Sequence, residues 1–367
     1  MIHIILGTRA QLIKMAPILV ELQNRKIDYN FIFLAEHKET MNSMLEMFGI
    51  KKPDMILGNL NKDINKVSTI IFWSLKILIN TLLYRRRIFK NYNRNSDKEI
   101  VLVHGDAPPA LLGALMGKIA GLKIGHVESG LRSYNLFNPF PEEIIRILTF
   151  KIADYYFCPG DWAMKNLQKK NGIKINTAEN TLLDSLKLAI KNENKINVDI
   201  PKEKYCIATI HRFENIFNKD KLEKVIKIIE EISGKIKVIF ILHPPTKEKL
   251  EKFDFMKRLI ANENIKLRPR YDYFKFIKLV NNSEFVISDG GSNQEESYYI
   301  GKPCLLLRYK TERKEGIDYN VILSEFKIEV IRKFVENYKE YKRRPIIDNI
   351  SPSKIIVDSL IKITAKD

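Results

Sequence analysis

The chain has 367 residues, a formal net charge of +18, and 45% hydrophobic and 29% charged residues. That length suits two domains, and that composition excludes a disordered, collagenous or disulfide-stapled chain. The positive charge invites a polyanion-binding reading, but lysine is spread along the whole sequence with no nucleic-acid motif, which assigns it to solvated surface; no nucleic-acid partner is expected.

In chain order, Met1-Ile2-His3-Ile4-Ile5-Leu6-Gly7 reads as a buried strand and its turn, with no resemblance to a signal peptide, so cytoplasm is the expected location. Further strand-like apolar runs follow at Phe31–Leu34, Ile100–Val103, Lys123–Val127, Tyr155–Cys158, Tyr205–Ala208, Lys237–Leu242, Glu284–Ser288 and Cys304–Leu307. Helix-period segments such as Ile13–Leu22, Pro109–Ile119 and Leu222–Ile232 lie between them. Strand–helix alternation of this kind predicts parallel sheets covered by helices on both faces. The pattern restarts near Tyr205 after the Asn- and Lys-rich stretch Lys191–Asn197. We therefore expect an α/β chain of two doubly wound, Rossmann-like domains with a cleft between them. The first spans 1–171, the second 172–350, and a C-terminal helix at 351–367 packs back on the first. Cys158, Cys206 and Cys304 are scattered among apolar runs and read as buried small hydrophobes rather than a metal cluster.

One segment breaks the alternation. Ser68–Tyr84 is strongly apolar and runs into Arg85-Arg86-Arg87 and Lys90. Interrupted by Lys76, it is too short for a membrane span. Two readings stand: a buried or dimer-interface helix, or an interfacial helix at 68–90 whose basic flank meets a membrane surface.

The chemistry-bearing residues gather at strand ends. His104-Gly105-Asp106 and His126-Val127-Glu128 each close an apolar run, and Pro139-Phe140-Pro141-Glu142-Glu143 follows. In an open α/β sheet the carboxyl edge of the strands is where ligands bind, and acids gathered there can divide into acid and base roles. Later, Phe285–Ser288 runs into Asp289-Gly290-Gly291-Ser292-Asn293-Gln294-Glu295-Glu296, with helix expected over Glu296–Ile300. A strand, a glycine turn and a helix start make an anion site, against the plainer reading of an ordinary turn; Glu296 has the reach to hold two ribose hydroxyls. Gly7-Thr8-Arg9 with Lys14, His211-Arg212, and His243-Pro244 add cations and imidazoles after three other strands, as a departing diphosphate requires.

Together these stretches resemble the non-hydrolysing UDP-N-acetylglucosamine 2-epimerases. The resemblance runs through GTRAQLIKMAP at Gly7–Pro17, VLVHGD ending at Asp106, GHVESGLRS at Gly125–Ser133 and NPFPEEIIR at Asn138–Arg146. It continues through NTLLD at Asn180–Asp184, TIHRFEN at Thr209–Asn215, LHP at Leu242–Pro244, DGGSNQEE at Asp289–Glu296, GKP at Gly301–Pro303, Arg308 and TER at Thr311–Arg313. It implies the fold of the B-type glycosyltransferases, a UDP-sugar partner, a homodimer, and no metal or redox cofactor. By resemblance, Asp106, Glu128 and Glu142 are the acid/base candidates with Lys14 beside them, and His211 joins the catalytic set. Arg9, His211 and Arg313 face the phosphates at Gly290, Gly291 and Ser292, Glu296 takes the ribose, and Phe276 packs the uracil; Arg212 and His243, placed after strands, are further substrate-binding candidates. The implied reaction eliminates UDP to a 2-acetamidoglucal and adds it back after the proton returns to the other face of C2.

Several positions depart from the family pattern. Ala10 and Gln11 replace a usual Pro-Glu, which is expected to remove one carboxylate from the cleft. Ala107, Pro108 and Pro109 follow the His-Gly-Asp, Ile145 replaces an Asn, Phe213 replaces an Arg, and Ser292 a Gly. Glu36-His37-Lys38-Glu39 carries acids where the family has amides that contact a second, activating UDP-sugar, so that activation is not expected in its usual form. The leading reading is a UDP-N-acetylhexosamine 2-epimerase for surface-polysaccharide precursors. The alternatives are a UDP-sugar glycosyltransferase or a hydrolysing epimerase on the same fold, and a non-catalytic polyanion binder.

Overall fold

The computed structural model describes residues 1–34, 38–57, 67–94, 97–136, 140–346 and 350–365. The chain divides into two compact units, Met1–Ser185 with Asn349–Asp367, and Leu186–Asp348.

The first unit is built on seven strands: β1 (Ile2–Leu6), β2 (Tyr29–Phe33), β3 (Met55–Ile56), β4 (Ile100–His104), β5 (Lys123–Val127), β6 (Tyr155–Cys158) and β7 (Ile173–Asn176). They pair in the order β3-β2-β1-β4-β5-β6-β7, every pair parallel. All residues of β1, β2 and β4 are buried. That is why these runs read as continuous apolar stretches instead of alternating ones: helices cover both faces of a parallel sheet. The strand order reverses between β1 and β4, the switch point at which an open sheet leaves a crevice above its carboxyl edge.

The second unit has six strands, β8 (Tyr205–Thr209), β9 (Lys237–Leu242), β10 (Ile265–Pro269), β11 (Val286–Ser288), β12 (Cys304–Leu306) and β13 (Val321–Leu323). Their order, β10-β9-β8-β11-β12-β13, is the doubly wound dinucleotide-fold order, again all parallel. Its switch point lies between β8 and β11. Its core packs Val225, Ile229 and Ile232 of the helix Lys219–Ser233 against Phe240, Phe285 and Leu305. The three cysteines are buried and unpaired.

The division between the units corrects the expected boundary at 172. Strand β7 hydrogen-bonds to β6 and so belongs to the first sheet, and the helix Leu182–Lys191 starts in the first unit. Two contacts show why. Ser185 Oγ donates to the Ile13 carbonyl at 2.6 Å. Asp184 accepts from Ser353 N at 2.8 Å and Ser351 Oγ at 3.0 Å, which caps the C-terminal helix Pro352–Ala365. That helix packs on Arg9–Asn24, with Arg25 Nη1 bonded to Asp358 at 2.5 Å.

The apolar-basic segment forms a helix, Val67–Ile88, broken at Tyr84. It buries Ile77, Thr81 and Ile88 but leaves Phe72, Leu75, Ile79, Leu82 and Leu83 exposed. Among the described residues no helix is long and apolar enough to cross a membrane.

Candidate active site

At the carboxyl edge of the first sheet, the turn after β1 carries Thr8 as the N-cap of the helix Arg9–Asn24. Thr8 Oγ1 accepts from Gln11 N, and Gln11 Oε1 accepts from Gly7 N at 2.9 Å and Thr8 N at 3.1 Å, a reciprocal capping box. The amide's other end donates to the His104 carbonyl at 2.8 Å. Gln11 is therefore buried and wholly engaged with backbone. Through these bonds the position ties β1 to β4.

One turn further on, buried Lys14 pairs through Nζ with Glu128 Oε2. Asn180 Nδ2 donates to the same oxygen at 2.5 Å, and His104 Nε2 lies 3.5 Å from it. Glu128 follows β5 with φ +61°, a left-handed conformation that costs a non-glycine residue roughly 1–3 kcal/mol. The turn is held by buried His126, whose Nε2 donates to the Gly105 carbonyl at 2.8 Å while Ser129 Oγ meets Nδ1 at 3.1 Å. Burial lowers both His104 and His126 to about 4, so both imidazoles are neutral.

Asp106, half-buried beyond β4, pairs with Arg146 Nη2. Arg146 is in turn held by Glu143, 3.2 Å from Nη1. Glu143 also accepts from Arg132 Nε at 2.5 Å, Ser133 N at 3.0 Å and Tyr134 N at 3.3 Å. Burial pushes its carboxyl up, but the Ser133 amide, Arg132 and Arg146 outweigh this and hold it below the usual carboxylate range. Glu142 is the first residue of the helix Glu142–Ile152 and half-buried; Arg9 is likewise half-buried at the first position of its helix. Asn138 and Pro139 lie outside the described residues, as do Glu36 and His37 and the side chains of Lys38 and Glu39.

In the second unit, the helix after β11 runs over Gly291–Tyr299, starting five residues before the expected Glu296. Its first amides therefore sit directly after the Asp289-Gly290 turn, where N–H groups and helix dipole favour an anion. A Cβ on Gly290 would lie 2.8 Å from His211 Cε1, and one on Gly291 would lie 2.7 Å from Arg313 Nε. An imidazole and a guanidinium thus bracket the turn, and only glycine fits between them. Arg313 pairs with Glu295, while Gln294 Nε2 donates to the Arg313 and Glu315 carbonyls and Gln294 Oε1 accepts from Thr311. His243 stacks on His211, with ring centroids 4.5 Å apart and planes 15° apart. Arg212 lies 3.5 Å from Glu214 and 3.8 Å from Glu312.

Buried Glu296 accepts from Asn293 Nδ2 at 3.0 Å. Ser292 is the second residue of that helix, and Phe276 is half-buried on the helix Tyr273–Asn281. Phe213 is 69% exposed and stacks on Phe217 at 4.0 Å.

The structure thus joins Lys14 with Glu128, and gathers His211, His243, Gly290, Gly291 and Arg313. It adds Asn180, Glu143, Arg146 and Asp289, which the sequence reading did not single out. Among the described residues, no group of three or more His, Cys, Asp or Glu side chains is placed to hold a metal ion.

Two parallel doubly wound units, one with buried acids and one with an anion turn at the carboxyl edge, define an α/β enzyme of the B-type glycosyltransferase architecture. The sequence profile of the family described as UDP-N-acetylglucosamine 2-epimerase matches residues 20–345, and the chain belongs to that family. It is 37% identical to the UDP-N-acetylglucosamine 2-epimerase of Methanococcus maripaludis, covering 87% of this chain and 86% of that one. It is 32% identical to the enzyme of the same description from Methanocaldococcus jannaschii, over 97% of both chains. The crystal structure of the Neisseria meningitidis UDP-GlcNAc 2-epimerase bound to UDP-GlcNAc superposes with a TM-score of 0.82 at 27% identity, over 98% of this chain and 99% of that one. Family membership sets the epimerase reading above a glycosyltransferase of the same fold.

Proposed function

We propose that the protein is a UDP-N-acetylhexosamine 2-epimerase that interconverts UDP-GlcNAc and UDP-ManNAc by eliminating UDP and adding it back. The observation that carries this reading is the buried Lys14–Glu128–Asn180 cluster at a strand end, in a chain of this family.

The C2 hydrogen has no adjacent carbonyl to acidify it, so cleavage of the anomeric C–O bond leads. The electron pair passes to the departing phosphate oxygen, and a base then takes the C2 proton from an oxocarbenium-like centre. A second acid returns a proton from the opposite face. Asp106, Glu128 and Glu142 supply these roles. The Lys14–Glu128 contact supports an ionised, oriented carboxylate, and Arg146 orients Asp106. The glycine turn with His211 and Arg313 meets the growing diphosphate charge, assisted by Arg9, Arg212 and His243. Glu296 takes the ribose and Phe276 the uracil.

The reading extends to a cytoplasmic homodimer that supplies surface-polysaccharide precursors. The exposed stripe Phe72, Leu75, Ile79 and Leu82 supports pairing of two copies. The flank Arg85-Arg86-Arg87 supports the competing reading, contact with an anionic membrane. Sedimentation and liposome flotation separate the two.

The decisive test is incubation with UDP-GlcNAc in heavy water, followed by proton NMR. Deuterium at C2 together with a UDP-ManNAc signal is expected. Free UDP plus free sugar would assign a hydrolysing enzyme. No exchange with UDP binding intact would overturn the proposal.

A further inference from the structure

Behind the imidazole that flanks the anion turn lies a carboxylate with no access to solvent. Asp289 is fully buried at the end of β11. It accepts from His211 N at 3.0 and 3.2 Å, from Arg212 N at 3.0 Å and from Asn215 Nδ2 at 2.9 Å. It thereby pins the whole loop after β8 to the start of the glycine turn after β11, across the switch point of the second sheet.

Asp289 also faces the ring of His211: its Oδ1 lies 3.4 Å from Nδ1, a buried nitrogen that makes no closed hydrogen bond. The ring is restrained on two further sides. His243, following β9, stacks flat on it, and Gly290 lies so close beneath Cε1 that no side chain fits. A carboxylate this close to a buried Nδ1 favours the hydrogen there, and Nε2 is then the nitrogen open to a ligand.

We infer that Asp289 is a positioning residue that fixes the Nδ1–H tautomer of His211 and favours its protonated form, so that Nε2–H meets the diphosphate of the bound nucleotide. The ligand's identity rests on the UDP-sugar reading; the tautomer does not. When the C1–O bond breaks, the electron pair moves to the β-phosphate oxygen and the diphosphate gains one negative charge. An imidazolium donates a hydrogen bond to that oxygen and keeps its proton. On re-addition the same oxygen returns the pair to C1, so no net proton is consumed.

The charged surroundings make Asp289 necessary for this. Burial lowers the His211 pKa, Asp289 raises it, and Arg212 on the same loop and Arg270 beyond β10 lower it further. His243 is the remaining titratable ring against it. Without Asp289, each of the other influences on His211 favours the neutral ring.

The test is long-range proton–nitrogen correlation NMR on the full chain labelled at histidine, with His211 assigned by its loss in H211N. The wild type is expected to show neutral His211 as the Nδ1–H tautomer, with a pKa that rises when UDP is added. In D289N the pKa should fall by about one unit or more. The kcat of D289N at pH 7 should fall about tenfold or more with KM within about threefold, and D289E should recover part of it. An Nε2–H tautomer in the wild type overturns the inference, as does a folded D289N whose His211 titrates unchanged. If D289N does not fold, the wild-type tautomer alone decides. A wild type that shows the Nδ1–H tautomer yet binds no UDP would overturn the UDP-sugar reading and keep the pairing of Asp289 with His211.

Discussion

Ser185 hands its hydroxyl hydrogen to the Ile13 carbonyl, 2.6 Å away, one helical turn before Pro17. A proline at that position has no N–H to return to Ile13, and the helix would otherwise leave a partly buried acceptor bare. S185A should therefore cost about 1–3 kcal/mol, and P17A in the S185A background should recover much of it. Both tryptophans, Trp73 and Trp162, lie in the first unit, so urea unfolding followed by tryptophan fluorescence reads this directly. Equal destabilisation by S185A with and without Pro17 would show that the hydroxyl plays no such part.

Lys14 and Glu128 act as one buried pair, and either substitution removes the opposite charge from the group that remains. K14M and E128Q are each expected to lower kcat about 100-fold or more. UDP affinity should change less than about threefold, because the anion turn lies on the second unit. Steady-state kinetics and UDP calorimetry on the same preparations check the split; a matching loss of UDP affinity would argue against it.

Gly290 and Gly291 have no room for a methyl group against His211 and Arg313. G290A and G291A should each weaken UDP binding about tenfold or more, while the first unit unfolds at its wild-type urea midpoint. Wild-type affinity in G290A would mean that the turn is not the diphosphate site.

His104 and His126 have folded-state values near 4, below the ordinary 6.5. Between those two values the unfolded chain takes up protons that the folded one refuses. Stability is therefore full above pH 6.5 and is lost as the pH falls toward 4. Each histidine should remove about 2 kcal/mol between pH 7 and pH 5. H126Q should flatten that pH dependence in urea titrations. A slope that H126Q leaves untouched would place the acid sensitivity elsewhere.

Glu143 links Arg132, two loop amides and Arg146, and through Arg146 it reaches Asp106. E143A leaves two guanidinium groups without their buried partner, for a loss of about 3–5 kcal/mol. E143Q keeps the shape and should lower kcat more than it raises KM. Thermal denaturation and kinetics of the two variants separate folding from catalysis.

Most of the architecture was legible because both sheets are parallel and doubly covered, so their strands stand out as apolar runs between amphipathic helices. Strand β7 was not: Ile173–Asn176 is an edge strand with no buried residue, and Lys174 and Asn176 dilute its pattern. Missing it displaced the domain boundary. The Gly290-Gly291 turn and its cations stood out because glycines and basic residues follow strands there. What the sequence hid was the second layer. Glu142 and Glu143 are adjacent acids, and only the helix start shows which one turns inward to Arg132 and Arg146. The structural part of Gln11 went unread although Thr8-x-x-Gln11 is itself a capping pattern. Asp289 looked like the lead-in to a glycine pair, because its four donated bonds come from a loop some eighty positions away.

The cap that Asp184 places on Pro352–Ala365 has a consequence for how the chain is made. The first unit draws its final helix, Pro352–Ala365, from beyond the whole of the second unit. During synthesis the residues 1–185 emerge first, yet they wait for residues 352–365 before that helix can seat on Arg9–Asn24. The second unit, encoded in between, has its whole sheet available sooner. A nascent chain stalled before residue 352 should therefore carry a finished second unit and an open, protease-sensitive first unit.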